Sequence, residues 1–96
     1  MKMMNITCNI SSMAQFMQMI EAEQIRFYQI MEETTGLLPK GEPRLNTPVW
    51  PGINSSVFLT CTETQCLNLK KHIADFNRKA YNDNELIFVN SWSIDE

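Results

Sequence analysis

The chain has 96 residues, 44% of them hydrophobic, enough for one small domain whose core is thin and would gain from assembly. Eight Lys plus Arg against eleven Asp plus Glu leave a net charge of −3, without the basic excess that a phosphate backbone requires, so nucleic acid is not an expected partner. No run approaches the roughly 20 apolar residues that span a bilayer, and the N-terminal MKMMNITCNISSMAQF lacks an export signal's apolar stretch. The expectation is a cytoplasmic protein with no direct membrane insertion.

Lys2 to Asn9 alternates, with Met4, Ile6 and Cys8 on one side and Met3, Asn5 and Thr7 on the other, which predicts a half-buried first strand. Ser12 stands three residues before Gln15 at the spacing of a capping box. Met13, Phe16, Met17 and Ile20 follow at helical intervals, predicting a short amphipathic helix that ends near Gln24. Ile25 to Glu33 suits a second strand because aromatic and β-branched residues are dense there; a helix prolonged to Glu33 is the alternative.

Thr34 to Pro51 (TTGLLPKGEPRLNTPVWP) is polar and aperiodic. A connection of this size in so short a chain is a functional loop or a tether. Gly36, Gly41, Pro39 and Pro43 make its course irregular, so residues 34–51 are read as a long flexible loop within a single domain, 1–96.

Asn54 to Thr62 predicts a third strand, with Val57, Leu59 and Cys61 opposite Ser56, Phe58 and Thr60. Thr62 and Gln65 form a second capping-box pattern, and Cys66, Leu69, Ile73, Phe76 and Ala80 recur at helical spacing. Asn82-Asp83-Asn84 closes this helix, and Leu86 to Val89 starts the last strand. The order is βαββαβ. Right-handed crossovers then give a ferredoxin-like α+β fold, a four-stranded antiparallel sheet with both helices on one face. The opposite face would carry some of Met3, Phe58, Leu86 and Phe88 with Thr7 and Thr60. That surface is too apolar to leave in water, and burial by other subunits is expected.

Individual residues carry less chemistry. Lys40 and Arg44 are the loop's only cations and suit a phosphate, a carboxylate or an acidic partner patch, or plain solvation. Trp50, extended by Pro51 and beside Gly52, suits stacking on a base or anchoring the end of the loop, and Asn54 belongs to the same turn. Cys8, Cys61 and Cys66 are an odd number, which favours buried thiols over disulfides. Cys8 and Cys61 are read near the C-terminal ends of parallel neighbouring strands, and with seven Met they invite a soft-metal site; Cys61-x4-Cys66 matches no zinc pattern. His72 stands alone, with no nucleophile or second acid beside it, and Glu32 and Glu33 point to opposite sides of a strand. No P-loop, dinucleotide fingerprint or nucleophile elbow occurs, so an enzyme is not expected and no catalytic residue is assigned.

The strand order, the long loop between the second and third strands, and the run Val49-Trp50-Pro51-Gly52-Ile53-Asn54 feeding the third strand resemble the P-II-like signalling proteins. The similarity is to the smaller P-II-like group rather than to the nitrogen regulators themselves. It covers the whole chain as architecture, while only Val49 to Asn54 has the quality of a motif. The resemblance implies a homotrimer with its sheets facing inward and clefts between subunits that take an adenine nucleotide or another small effector. It further implies a flexible loop that docks on a protein partner, often a membrane transporter. Thr35, Gly36, Lys40 and Arg44 on the loop, with Trp50 and Asn54 at its far end, are then the candidate ligand-binding residues. The chain departs from the nitrogen regulators at Tyr81-Asn82-Asp83-Asn84-Glu85, where their phosphate-gripping loop has Gly and Lys, and its long loop has no Tyr to be uridylylated. A CutA-like soft-metal protein using Cys8, Cys61 or Cys66 is the alternative from a different class.

Overall fold

Alternation in strand β1 (Lys2–Asn9) decides where the core lies. Met4, Ile6 and Cys8 are fully buried, and the intervening Met3, Asn5 and Thr7 turn to the opposite face. The computed structural model describes residues 1–95, and the elements that follow β1 are helix α1 (Met13–Ala22), strands β2 (Tyr28–Thr34) and β3 (Asn54–Cys61), helix α2 (Glu63–Arg78) and strand β4 (Phe88–Ser93). The strands form one sheet in the order β2-β3-β1-β4 with every neighbouring pair antiparallel. This is the ferredoxin-like βαββαβ arrangement. Phe16 and Ile20 of α1 and Cys66, Leu69 and Ile73 of α2 close over Met4, Ile6, Val57, Leu59 and Cys61, so both helices cover the same face.

The end of α1 explains why β2 starts later than Ile25. Gln24 takes a left-handed φ of 56°, its N–H bonds Glu21 O at 3.0 Å, and the N–H of Ile25 bonds Ile20 O at 3.2 Å. These two bonds make a Schellman motif with Gln where Gly is usual, and Ile20 and Ile25, both buried, supply its hydrophobic contact. Ile25 therefore closes the helix from the core, and strand pairing begins only at Tyr28, opposite Leu59. A helix running to Glu33 is excluded.

Two other expectations need correction. Ser12 makes no side-chain cap on α1, because a 3₁₀ turn (Ile10–Ser12) precedes the helix and leaves Ser12 helical at φ −95°, ψ −4°. Asn9 caps that turn instead, accepting the N–H of Ser11 at 3.1 Å, while Ser12 Oγ reaches Glu85 O at 3.5 Å. The box at Thr62 and Gln65 is formed in both directions, at 2.9 and 3.1 Å. The second correction concerns Cys8 and Cys61. β1 and β3 are antiparallel, so Cys8 lies opposite Ser55 and Cys61 opposite Lys2, at opposite ends of the sheet. Six residues of strand between them amount to about 20 Å.

The helix-free face carries Met3 beside Trp92 and Thr60, Asn5 beside Phe58 and Asn90, and Thr7 beside Phe88 and Ser56. Leu86 lies before β4, at the end of the 3₁₀ turn Asp83–Glu85, so β4 starts at Phe88 rather than at Leu86 and runs through Trp92 to Ser93. At the centre of this face the Oδ1 of Asn5 is buried with no hydrogen-bond partner among the described residues. Among the described residues no helix is long and apolar enough to cross a membrane.

Candidate functional site

The loop after β2 folds back on itself at its base. Gly36 and Arg44 exchange both main-chain hydrogen bonds at 2.9 Å, forming an isolated antiparallel bridge that closes residues 37–43 into a hairpin-like excursion. Its tip carries Lys40, which is exposed and makes no ion pair with a described residue. A second turn follows. The Trp50 carbonyl accepts the N–H groups of Leu45 and Thr47 at 3.2 and 3.1 Å, Trp50 N–H bonds Thr47 Oγ1 at 3.0 Å, and Asn46 N–H bonds Gly52 O at 3.0 Å. Asn46 and Gly52 supply the positive φ values, 55° and 96°, that this turn requires.

Arg44 sits where the two turns meet the sheet, and only 5% of it is exposed. Its Nε donates to Asn54 Oδ1 at the start of β3, and its Nη1 donates to the carbonyl of Asn84 at 3.3 Å. Asn84 also takes the N–H of Glu42 on its own Oδ1 at 2.8 Å. The loop is thus fastened to the turn before β4 by residues 42 and 44 together. Gly41 fits against that turn because it lacks a side chain: a Cβ there would fall 2.7 Å from Asn84 Oδ1. The turn itself is held by Asn82, which accepts the N–H of Asn84 at 2.9 Å, and by Glu85, whose carboxylate accepts the N–H of Tyr81 at 2.5 Å.

Of the six candidates, the structure brings Gly36, Arg44 and Asn54 together. Thr35 is exposed beside Gly36, and Trp50 is 40% exposed on the second turn. Asn84 was not expected at the site, and it is the residue that joins the loop to the far turn. The detectable signal was Asn82-x-x-Glu85, the spacing of a capping box, which fixes residue 84 between the two anchors. The sequence pairs Arg44 with Lys40 as a loop cation open to a ligand, a partner or solvent, and its burial is not signalled there; Gly52, against whose missing Cβ the Arg44 Cγ packs at 3.3 Å, is what lets it enter.

Burial pulls the Arg44 pKa below its ordinary value, with the nearby Cys8 opposing. The Cys8 thiol is pushed up to about 11 by burial, the Arg44 charge working against the shift, and Cys61 is pushed up to about 11 by burial with the neighbouring Cys66 adding to it. Each of these thiols contacts a thioether: Cys8 Sγ lies 3.6 Å from Met13 Sδ and Cys61 Sγ 3.7 Å from Met4 Sδ. The three cysteines are free and buried, and among the described residues no group of three or more His, Cys, Asp or Glu is placed to hold a metal ion. His72 joins the two helices through Glu23, Nε2 to Oε2 3.1 Å.

Solved structures with the same fold include PII-like proteins. CPII from Thiomonas intermedia K12, bound to ADP and bicarbonate, matches with a TM-score of 0.70 over 97% of this chain and 86% of its own at 12% identity. The apo form of CPII, a nitrogen regulatory PII-like protein, matches with a TM-score of 0.62 over 97% and 89% at 13% identity. A PII-like signaling protein from Thermus thermophilus matches with 0.63 over 95% and 83% at 13% identity. No protein-family model matches the sequence, and no curated protein matches it. The likeness spans nearly the whole of each chain, and the fold is the one that PII-like signalling proteins adopt.

Proposed function

We propose that this chain is a PII-like regulator rather than an enzyme, a cytoplasmic homotrimer that senses a small effector in its intersubunit clefts and signals through loop 34–51. The observation that carries the reading is the fastening of the loop to the turn before β4 by Arg44, Glu42 and Asn84. A ligand that settles at this junction changes the loop's anchorage, which is the differential contact an effector needs to shift a conformational equilibrium. An adenine nucleotide is the proposed effector, by likeness to CPII, which is found with ADP.

Thr35, Gly36, Arg44 and Asn54 are assigned to the loop base, Trp50 to the cleft wall, and Lys40 to contact with a partner such as a membrane transporter. The chain lacks Gly and Lys in residues 81–85, so a nucleotide's phosphates would not be held by the glycine cradle of the nitrogen regulators. Assembly is supported by the helix-free face, where Met3, Phe58, Phe88 and Trp92 gather around the unpartnered Asn5 oxygen. A polar atom buried without a bond costs free energy in a monomer, and a neighbouring subunit's donor would remove that cost.

The test is calorimetric titration of ADP, AMP and ATP into the purified protein, with its mass in solution measured alongside. The expected result is saturable binding of at least one nucleotide by a species of three times 11.2 kDa. A monomer that binds none of the three would overturn the reading.

A further inference from the structure

Three sulfur-bearing side chains meet where β3 passes into α2. Cys61 is the last residue of β3, and Cys66 lies one turn beyond the N-cap Thr62, on the buried side of α2. Met4 approaches from β1, where it stands opposite Leu59. The Cys61 Sγ is 3.7 Å from Met4 Sδ, and the Cys61 thiol is also in hydrogen-bond contact with that of Cys66. All three residues are buried, and both cysteines are free.

The spacing suits coordination. Sulfur ligands about 2.3 Å from one ion in a trigonal plane stand about 4 Å from each other. The Cys61–Met4 separation is thus already close to that of two ligands of a common ion. A thioether has no part in a disulfide, so the third sulfur favours a metal over a cross-link between the two cysteines. Cys8 offers the contrast: it has Met13 Sδ at 3.6 Å, but only two sulfurs gather there, beside the buried Arg44 cation.

We propose that Met4, Cys61 and Cys66 form a binding site for one soft monovalent metal ion, Cu(I), held by two thiolates and a thioether. Thiolate and thioether together select Cu(I). Zn(II) asks for a tetrahedron of four ligands, and among the described residues no His or carboxylate joins the two cysteines to make a group of three. Uptake displaces the two thiol protons to solvent and changes no oxidation state. Two thiolates on a monovalent ion leave one net negative charge, and the N-terminal ammonium, whose field already favours the Cys61 thiolate, is its counter-charge. The route in is short, because Thr62, Glu63 and Thr64 between the two cysteines are exposed. The ion would tie β1, β3 and the head of α2 together, so its binding raises stability. None of this depends on the effector-sensing reading.

The probe is Cu(I) itself, kept reduced without air and offered to the folded protein in competition with the coloured chelator bathocuproine disulfonate. Proton release in weak buffer and Tm are followed alongside. The expected result is one Cu(I) per chain, two protons released per ion and a rise in Tm, in the wild type and in Cys8→Ala alike. Uptake should be lost in Cys66→Ala and weakened in Met4→Leu, a swap that nearly conserves volume. No uptake from the chelator, uptake that survives in Cys66→Ala or uptake lost in Cys8→Ala would overturn the proposal. A fall in Tm on binding would overturn it too, since it marks capture by the unfolded chain. If Cys66→Ala does not fold, the proton count and Met4→Leu decide: fewer than two protons per ion rejects the paired thiolates, and unchanged affinity in Met4→Leu rejects the three-sulfur site. Loss of both thiols to air without any Cu(I) uptake would show a disulfide pair in place of a metal site. Zn(II) that displaces Cu(I) would reject the assigned metal class.

Discussion

Asn84 holds Glu42 across 42 positions of sequence, its Oδ1 accepting the Glu42 N–H at 2.8 Å while its carbonyl takes Arg44. One residue of a short turn thereby fixes both sides of a segment that composition alone marks as irregular. Replacing Asn84 with Ala removes the first bond and keeps the second. A neutral hydrogen bond of this kind contributes about 1 kcal/mol, so unfolding should shift by that order. The sharper readout is local: amide exchange at Glu42 should accelerate while exchange in β1 stays as it was. Unaltered exchange at Glu42 would show that the loop is held by other contacts.

Gly41 and Gly36 separate two causes of glycine dependence within the same loop. Both have positive φ, 93° and 156°, so Ala is strained at either position. At Gly36 nothing lies within 4 Å of the added Cβ, whereas at Gly41 the Cβ would meet Asn84 Oδ1 at 2.7 Å and Asp83 O at 3.2 Å. Gly41→Ala should therefore cost about 1 kcal/mol more than Gly36→Ala in urea unfolding, and it alone should loosen the Glu42–Asn84 bond. Equal losses would mean that the turn yields to the methyl group without resistance.

The strands, helices and core faces were legible because their signals are periodic and local. Met4, Ile6 and Cys8 alternate, and Cys66, Leu69 and Ile73 recur along one helical face, so burial follows from spacing. The end of α1 was less legible because its stop signal is a Gln in a left-handed conformation, a residue that seldom announces a helix end. Ile25 then looked like strand when it was closing the helix. The loop junction was hidden for a different reason: Arg44, Asn54 and Asn84 meet only through tertiary folding, and a lone Arg in a polar stretch reads the same whether it is buried or solvated. The strand direction that would have brought Cys8 to Cys61 was misassigned, although the βαββαβ order itself requires β1 and β3 to run antiparallel.

Cys8 and Cys61, with pKa values of about 11 in the fold against an ordinary 9, tie stability to alkaline pH. A raised folded-state pKa means that the unfolded chain gives up these protons first. Their contribution is therefore fully present below pH 9 and is lost as pH rises through 9 to 11. The urea midpoint should fall across that window, and a Cys8→Ala, Cys61→Ala double variant should show a shallower fall than wild type, other alkaline groups being common to both. At about pH 8 a thiol reagent should modify neither residue until the chain is unfolded, since each is buried and protonated. Rapid modification of Cys61 in the folded protein would contradict its burial and revive an exposed metal-binding role.

The two capping patterns in the sequence look alike and differ in the structure, which makes them a direct test of the helix starts. Thr62 Oγ1 accepts Gln65 N–H and Gln65 Oε1 accepts Thr62 N–H, so Thr62→Ala strips the Gln65 N–H of its partner and leaves the reciprocal bond unsupported at the head of α2. Loss of such a cap costs about 1 kcal/mol, within a range of roughly 0.5–2. Ser12 caps nothing in α1, because the 3₁₀ turn before it already satisfies the first donors through Asn9. Its hydroxyl makes only the 3.5 Å contact with Glu85 O, at the limit of hydrogen-bond geometry. Ser12→Ala should therefore cost clearly less than Thr62→Ala in the same urea titration, whereas Asn9→Ala, which uncaps the 3₁₀ turn, should cost as much as Thr62→Ala. A Ser12 loss equal to that of Thr62 would place the true start of α1 at Ser12 and not at the turn before it.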